Sequence, residues 1–447
     1  MKKSLLLGSA AALVAVSGAQ AADLPVVEPV DYVRVCDAFG AGFHYIPGTE
    51  TCLKFSGRVR TEIGIRDDND DDTVDTTFLN SNFELVVNAS SMTEVGMVVG
   101  QFSFGGDNEG SVDIDDAWIT IGENILVGRE ISRYDFGGGY GIYDGIYVDE
   151  GINQFTFIMP FGNGVAFTLG LEDGRDRRAK IAQYNGLTET HLTPVNYFDS
   201  GSNWFVTTPG TSSLPINVYG IGDDIHEGEN MGQDATYGGM EIPEIVASLR
   251  ISQGWGSAQI SGALHQIRSI TSFKPKAPFT EVAVVTSAAT LSSFVSYPAG
   301  ILDEDYGWAV QAGVELNVGS MTKVKVVGAY ADGAMNYIGG SDYYEAAVDF
   351  TTGNITDTLD GWYVLAGLSQ DFSSNLNLGI TAAYHDFDDQ AELWMVSATL
   401  QYEVVENLLV SLAGQYTDTD QQENEMLGLE ASDTDDWEAK LRIQRNF

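Results

Sequence analysis

The chain has 447 residues, with 64 Asp and Glu against 22 Lys and Arg, a formal net charge of −42 and two cysteines. So acidic a chain repels phosphate, which excludes nucleic acid as a partner. No stretch beyond the N-terminus reaches the ~18 consecutive apolar residues of a spanning helix, which leaves a soluble exported protein or a barrel that crosses a membrane with strands.

The first residues read as a secretory signal. Lys2 and Lys3 form a basic start, Ser4 to Gly18 is apolar or small, and Ala19-Gln20-Ala21 fits the small-x-small cleavage pattern. Residues 1–21 are therefore expected to be a signal peptide and Ala22 the mature N-terminus. Residues 22–52 form an N-terminal segment carrying Cys36 and Cys52. An exported chain meets an oxidising compartment, so a Cys36–Cys52 disulfide is expected. A loop of that size contributes about 3 kcal/mol in the chain-entropy model. Two thiols do not complete a four-ligand zinc site, and His44 between them reads as a surface or packing residue, so neither metal nor cofactor is expected.

From Leu53 to Phe447 the pattern alternates with period two. Leu53, Phe55, Val59, Ile63 and Ile65 fall on one face, and Lys54, Ser56, Arg58, Arg60, Glu62 and Arg66 on the other. Tyr306 to Val318, Leu376 to His385, Leu393 to Val404 and Leu408 to Tyr416 repeat it. These runs are long enough to cross a bilayer at a tilt, whereas soluble strands cluster near five or six residues. One face is oily and the other carries Gln, Asn, Glu, Lys and Arg, as suits lipid outside and water inside. Sixteen strands are expected, starting near Leu53, Thr77, Val95, Val112, Ile125, Ile152, Gly164, Glu244, Ser257, Tyr306, Met321, Asp360, Leu376, Leu393, Leu408 and Asp436. Short connections such as Gly162 to Gly164 broadly alternate with long ones: Ser132 to Glu150, Asp173 to Met240, Ile270 to Asp303 and Ala331 to Leu359. The expected fold is all-β, a transmembrane antiparallel β-barrel of about 16 strands in the cell outer membrane, with long extracellular loops and short periplasmic turns. The last strand closes on Phe447, at the level of a periplasmic aromatic girdle, with Arg445 on the outward face.

The acidic run Asp67 to Asp72 lacks the glycine of a calcium loop. It reads as a solvated loop, with the calcium loop as the sharper alternative, and loose divalent-ion bridging to anionic lipid headgroups such as lipopolysaccharide stays open. Gly137 to Gly141 is not a nucleotide fingerprint. His265 and His385 have lumen parity, but their same-face neighbours Ala263, Ile267, Ala383 and Phe387 include no nucleophile, so no enzyme is expected.

The stretch from Glu28-Pro29-Val30-Asp31-Tyr32-Val33-Arg34-Val35-Cys36-Asp37-Ala38-Phe39-Gly40-Ala41-Gly42-Phe43 through Tyr45-Ile46-Pro47-Gly48 and Cys52-Leu53 to Gly57-Arg58-Val59-Arg60 closely resembles the N-terminal region of alphaproteobacterial general porins. The resemblance implies a homotrimer of sixteen-stranded barrels, each passing small hydrophilic solutes and ions, with the third outer loop folded into the lumen. By strand order that loop is 132–150. Its Asp135, Asp144, Asp149 and Glu150 would bring acids to the constriction, on a path made tight by Gly137 to Gly141.

Parity places Lys54, Arg58, Arg60 and Arg66, Lys323 and Lys325, and Lys440 and Arg442 on the inner face. The first and last strands pair in a closed barrel. Arg58, Arg60, Lys440 and Arg442 should then share one wall, opposite the loop acids, and set a transverse field. The plainer alternative is that these charges only solvate the wall. Arg129 and Arg133 flank the loop and either anchor its base or line the aperture. Acidic mouths imply a mild cation preference. The competing functions are a sugar-specific channel using Tyr140, Tyr143 and Tyr147, and an adhesin or structural barrel acting through Asp173 to Met240.

Overall fold

The computed structural model describes residues 34–68, 76–108, 110, 112–145, 151–184, 233–234, 236–271, 282–283, 294–295, 301–349, 354–424, 427 and 429–447. The expected signal peptide, the acidic residues 69–72 and most of the 173–240 connection lie outside them. The chain forms two compact units, Met1–Lys54 and Phe55–Phe447.

In the smaller unit a 3-10 turn, Asp37–Phe39, leads to the short strand His44–Tyr45, which pairs antiparallel with Cys52 and Leu53. The expected Cys36–Cys52 disulfide is present, with Cα atoms 6.1 Å apart. The Arg34 guanidinium lies 4.6 Å from the Tyr45 ring centroid, covering the hairpin with a cation–π contact.

Among the described residues, sixteen strands form a closed wall. They are β1 (Cys52–Asp68), β2 (Thr77–Thr93), β3 (Gly96–Asp107), β4 (Val112–Ile121), β5 (Ile125–Ile131), β6 (Gly151–Gly162), β7 (Val165–Glu172) and β8 (Glu244–Gln253), followed by β9 (Gly256–Thr271), β10 (Ile301–Val318), β11 (Thr322–Asp332), β12 (Asp360–Ser373), β13 (Leu376–Phe387), β14 (Ala391–Val405), β15 (Leu408–Gln421) and β16 (Ser432–Asn446). Neighbours are antiparallel, and β16 returns to β1 in a ladder from Arg58↔Asn446 to Asp68↔Asp436. All sixteen expected strands are found. Two begin four or five residues earlier than their alternation indicates, at Ile301 rather than Tyr306 and at Ser432 rather than Asp436. There Asp303, Glu304 and Asp305, and Asp433 and Asp435, put polar groups on both faces. The ladder continues on backbone pairing alone above the level where lipid enforces a pattern.

The faces are inverted relative to a soluble protein. On β14, Trp394, Val396, Leu400, Tyr402 and Val404 are exposed outward, while Ser397 and Thr399 are buried inward. On the outward face, one Trp or Tyr stands on each strand from β10 to β16: Trp308, Tyr330, Trp362, Tyr384, Trp394, Tyr416 and Trp437. They cluster as tilted pairs with centroids 5.1–5.3 Å apart, and Trp437 Nε1 donates to Asp67 Oδ2 at 3.2 Å. This is an interfacial aromatic belt at the long-loop end. At the other end Phe447 exchanges two 3.0 Å backbone bonds with Gly57. A Cβ on Gly57 would stand 2.9 Å from the Phe447 ring, so only glycine admits it. The outward Arg445 bonds the turn carbonyl of Glu406, which removes its charge from lipid.

Besides the expected inward loop, further parts of the long connections fold inward. Segments 174–184 and 333–349 turn into the barrel mouth. Met335, Tyr337 and Ile338 are fully buried against small inward residues such as Ala263, Ala309, Ala331 and Ala383. The strands Lys180–Tyr184 and Tyr344–Asp349 pair in parallel inside a separate four-stranded sheet. Alternating parity could not reveal this, because the segments are short, mix charged with apolar residues and carry no period.

Val310, outward on β10 and 42% exposed, tests the lipid assignment. Val310→Arg, two residues inside the aromatic belt, should lower equilibrium folding stability in lipid vesicles by about 1–2 kcal/mol, between the interface and midplane costs. An unchanged stability would mean that this face does not meet lipid.

Candidate functional site

Residues 132–145 leave β5 and run along the inside of the wall from β9 to β16. Irregular backbone pressed against the wall loses water there and needs partners from the wall. The wall supplies them. Tyr134 O accepts from Ser261 Oγ at 2.6 Å and from Gln259 Nε2 at 3.0 Å. Phe136 N donates to Gln311 Oε1 at 2.8 Å. Thr381 Oγ1 serves both Tyr140 N at 2.8 Å and Tyr140 O at 3.0 Å, and Thr399 Oγ1 accepts from Ile142 N at 2.9 Å. Ser397 Oγ donates to Tyr143 O. The seat is cut by inward glycines. A Cβ on Gly313 would meet the Phe136 ring at 2.2 Å, and one on Gly379 would meet the Tyr140 backbone at 2.9 Å.

Two tyrosines pin the far half of the loop. Tyr140 Oη donates to Glu315 Oε2 at 2.9 Å, and the Tyr143 hydroxyl donates to Glu438. Lys440 Nζ lies 4.2 Å from the Tyr143 ring centroid. Burial, and then these carboxylate bonds, raise both phenols above their ordinary range, so both remain donors at any physiological pH.

The seam between β1 and β16 gathers the expected bases. Arg58, Arg60, Lys440 and Arg442 share this wall through the register Arg60↔Gln444 and Glu62↔Arg442. Their charges are not left to face the loop. Arg58 pairs with Glu84 at 2.5 Å, Arg442 with Glu62 at 2.5 Å, and Lys440 with Glu438 at 3.3 Å and Glu62 at 3.9 Å. Arg60 Nε donates to Asn82 Oδ1 at 2.5 Å. Three of the four bases thus stand against carboxylates, and Arg60 is held by a neutral amide.

The remaining expected residues are dispersed. Arg66 stands nearer the long-loop end, its guanidinium 5.9 Å from the Phe78 ring. Asp135 caps its own turn through Gly137 N at 2.9 Å, at the β9–β10 end of the loop, beside Lys325, which pairs with Glu315 at 3.7 Å. Asp144 O accepts from Gly139 N at 2.5 Å. Asp149, Glu150 and Tyr147 lie outside the described residues. Arg133 pairs with Glu130 at 2.5 Å. Arg129 pairs in register with Asn153, on the face opposite the buried Leu126, and reaches Asp176 at 3.2 Å. Arg133 thus pairs beside the root of the loop, whereas Arg129 makes its ion pair with Asp176 and not with the loop. Glu62, Glu84, Glu315 and Glu438 were missed as site residues. The available signal was parity, since Glu62 alternates with Arg58 and Arg60 on one strand.

Comparison with known proteins agrees with this architecture. The family described as "Porin subfamily" matches residues 23–442. Porin Omp2b of Brucella suis biovar 1 is 29% identical over 379 residues, covering 78% of this chain and 90% of that one. Porin Omp2b of Brucella neotomae is 38% identical over 215 residues, covering 42% of this chain and 58% of that one. The outer membrane channel DcaP of Acinetobacter baumannii shares the fold with a TM-score of 0.60 at 14% identity, over 90% of this chain and 99% of that one.

The loop's dependence on two wall hydroxyls is testable. A Thr381→Val, Thr399→Val double variant leaves three backbone groups of 140–142 unpaired, at about 1–3 kcal/mol each. Single-channel recordings should show larger current noise and a larger solute cut-off, with the barrel itself still folded by heat-modifiable gel mobility. Wild-type noise and cut-off would show that these bonds do not hold the loop.

Proposed function

From the premise that this chain belongs to the porin subfamily and is an outer-membrane channel, we propose that residues 132–145 narrow its lumen and that it passes small hydrophilic solutes and ions with little solute specificity. The observation carrying this reading is the loop's chain of bonds to β9, β10, β13, β14 and β16, which leaves the β1–β5 side of the lumen to permeation. Arg58, Arg60, Lys440 and Arg442, with Glu62 and Glu84, are the wall groups a solute passes. Because three of those four bases are already paired with carboxylates, selectivity falls to the acidic mouths, and the channel prefers cations mildly. Burial of both tyrosine hydroxyls against wall carboxylates argues against a free aromatic sugar track.

The functional unit is proposed to be a homotrimer embedded in outer-membrane lipid and lipopolysaccharide. Its chain is cleaved after Ala21, and the 22–52 segment is closed by the disulfide. Mass spectrometry of the purified protein should return Ala22 as the first residue, and an intact Met1 would reject an N-terminal signal peptide.

Planar-bilayer recording with a salt gradient tests the channel properties. Conductance should rise in groups of three, with a reversal potential on the cation side and no saturation by sugars. Single steps would reject the trimer, and an anion-side reversal would reject mouth-controlled selectivity. Currents blocked by a sugar would favour a solute-specific channel.

A further inference from the structure

A water-filled barrel has little reason to bury charge, yet its mouth contains Arg177, Glu172, Glu244, His265 and Glu345, each at most 1% exposed. Arg177 lies 4.8 Å from the Tyr337 ring centroid. Its Nη2 is 3.6 Å from Glu172 Oε2 and its Nη1 is 3.4 Å from Asn336 Oδ1. Glu172 and Glu244 are cross-strand neighbours on β7 and β8. Tyr337 Oη reaches Glu244 at 3.5 Å. The root of the constriction loop is tied into the same cluster. Ser132 Oγ donates to Glu172 Oε1 at 2.6 Å, Ser132 Oγ also accepts from Tyr134 N at 3.1 Å, and the Tyr134 ring packs edge-on to Tyr337 at 4.9 Å.

The cluster has a proton count. His265 Nδ1 is 3.0 Å from Glu244 Oε2, and its Nε2 is 3.3 Å from Glu345 Oε1. A neutral imidazole carries one N–H and can donate to only one of two carboxylates. With both acids ionised the second contact would set lone pair against lone pair in a buried site. One additional proton, on the imidazole or on Glu345, resolves it. The other groups facing the triad are Tyr237 Oη, 3.2 Å from His265 Nε2, and Arg178 with the Ala179 amide near Glu345. Arg177 and Arg178 offset two of the three carboxylates, so the extra proton brings the cluster to neutrality. Glu345 is on the inward-folded strand Tyr344–Asp349, outside the barrel wall.

We propose that this cluster is a positioning device for the aperture: a single exchangeable proton latches the 344–349 strand to β8 and β9, and through Tyr337, Arg177 and Glu172 holds the root of the constriction loop. Burial pushes the Glu345 carboxyl well above the usual carboxylate range, in keeping with that proton. The sign follows from linkage. A group whose pKa is raised in the latched state contributes fully below its unlatched value, and its contribution is lost as pH rises toward the latched value. Over that window the unlatching constant rises about tenfold per pH unit for one proton released.

The proposal rests on 132–145 setting the aperture, and the test separates the two. The full-length wild-type protein and Glu345→Gln, whose amide mimics the protonated acid, are compared from pH 5 to pH 9 by single-channel recording and by hydrogen-exchange protection of amides 344–349. In the wild type, protection should fall about tenfold per pH unit over part of this range, with rising open-channel noise. In Glu345→Gln both should stay flat. Flat wild-type protection, or an unchanged pH dependence in Glu345→Gln, would overturn the proton latch. Falling protection with constant noise would instead overturn the link to the aperture, whereas the reading of 132–145 stands or falls separately with the Thr381→Val, Thr399→Val recordings. Arg177→Met should raise noise at neutral pH. If that variant does not fold, the Glu345→Gln comparison still decides the matter.

Discussion

A backbone placed in hydrocarbon must satisfy its own N–H and C=O groups, and a sheet does so only by closing on itself. The seam between β1 and β16 is therefore the pairing on which the remainder depends. It begins with the Gly57–Phe447 exchange and runs to Asp68↔Asp436. Once it is closed, every strand has one face in lipid and one in the lumen. Outward residues are then mostly apolar or aromatic, and inward ones mostly amides, hydroxyls, charges and small residues. The seam also creates the β1–β16 charge mosaic, since Glu62 and Arg442 meet across it.

The same requirement recurs inside the lumen at smaller scale. Residues 132–145 have no ladder of their own, so their backbone is satisfied by Ser261, Gln259, Gln311, Thr381 and Thr399. These are polar inward residues that a mere water channel would not need at those positions. Wall glycines at 313 and 379 leave the space in which the loop lies. The outer segments obey the rule more strictly. Where they close over the mouth, water is lost, and their charges survive only as a mutually compensated cluster around Arg177 and His265.

Electrostatics inside the barrel is consequently local. Arg58, Arg442 and Lys440 each sit against a carboxylate of the wall, and Asp135 lies at the other end of the loop, beside Lys325. Along the β1–β16 wall opposite signs therefore stand side by side at short range. The large acidic excess of the chain acts instead at the strand ends and mouths, where Asp360, Asp386, Asp388, Asp418 and Asp435 are found.

The sequence by itself determined the barrel, its strand number, which face of each strand meets lipid and the cysteine pairing. These follow from a period of two and from two cysteines, which are local properties legible one strand at a time. Glu62 was legible on the same grounds, by parity with Arg58, though its role as a counter-charge was not. Only the tertiary structure decided the rest. Tyr143 meets Glu438 across 295 residues of chain, Arg129 turns away from the lumen, and Arg177 is buried. Each depends on how loops without periodicity fold back on a wall assembled from distant strands. Nothing in the pattern of neighbouring residues encodes which hydroxyl, glycine or carboxylate such a loop will meet.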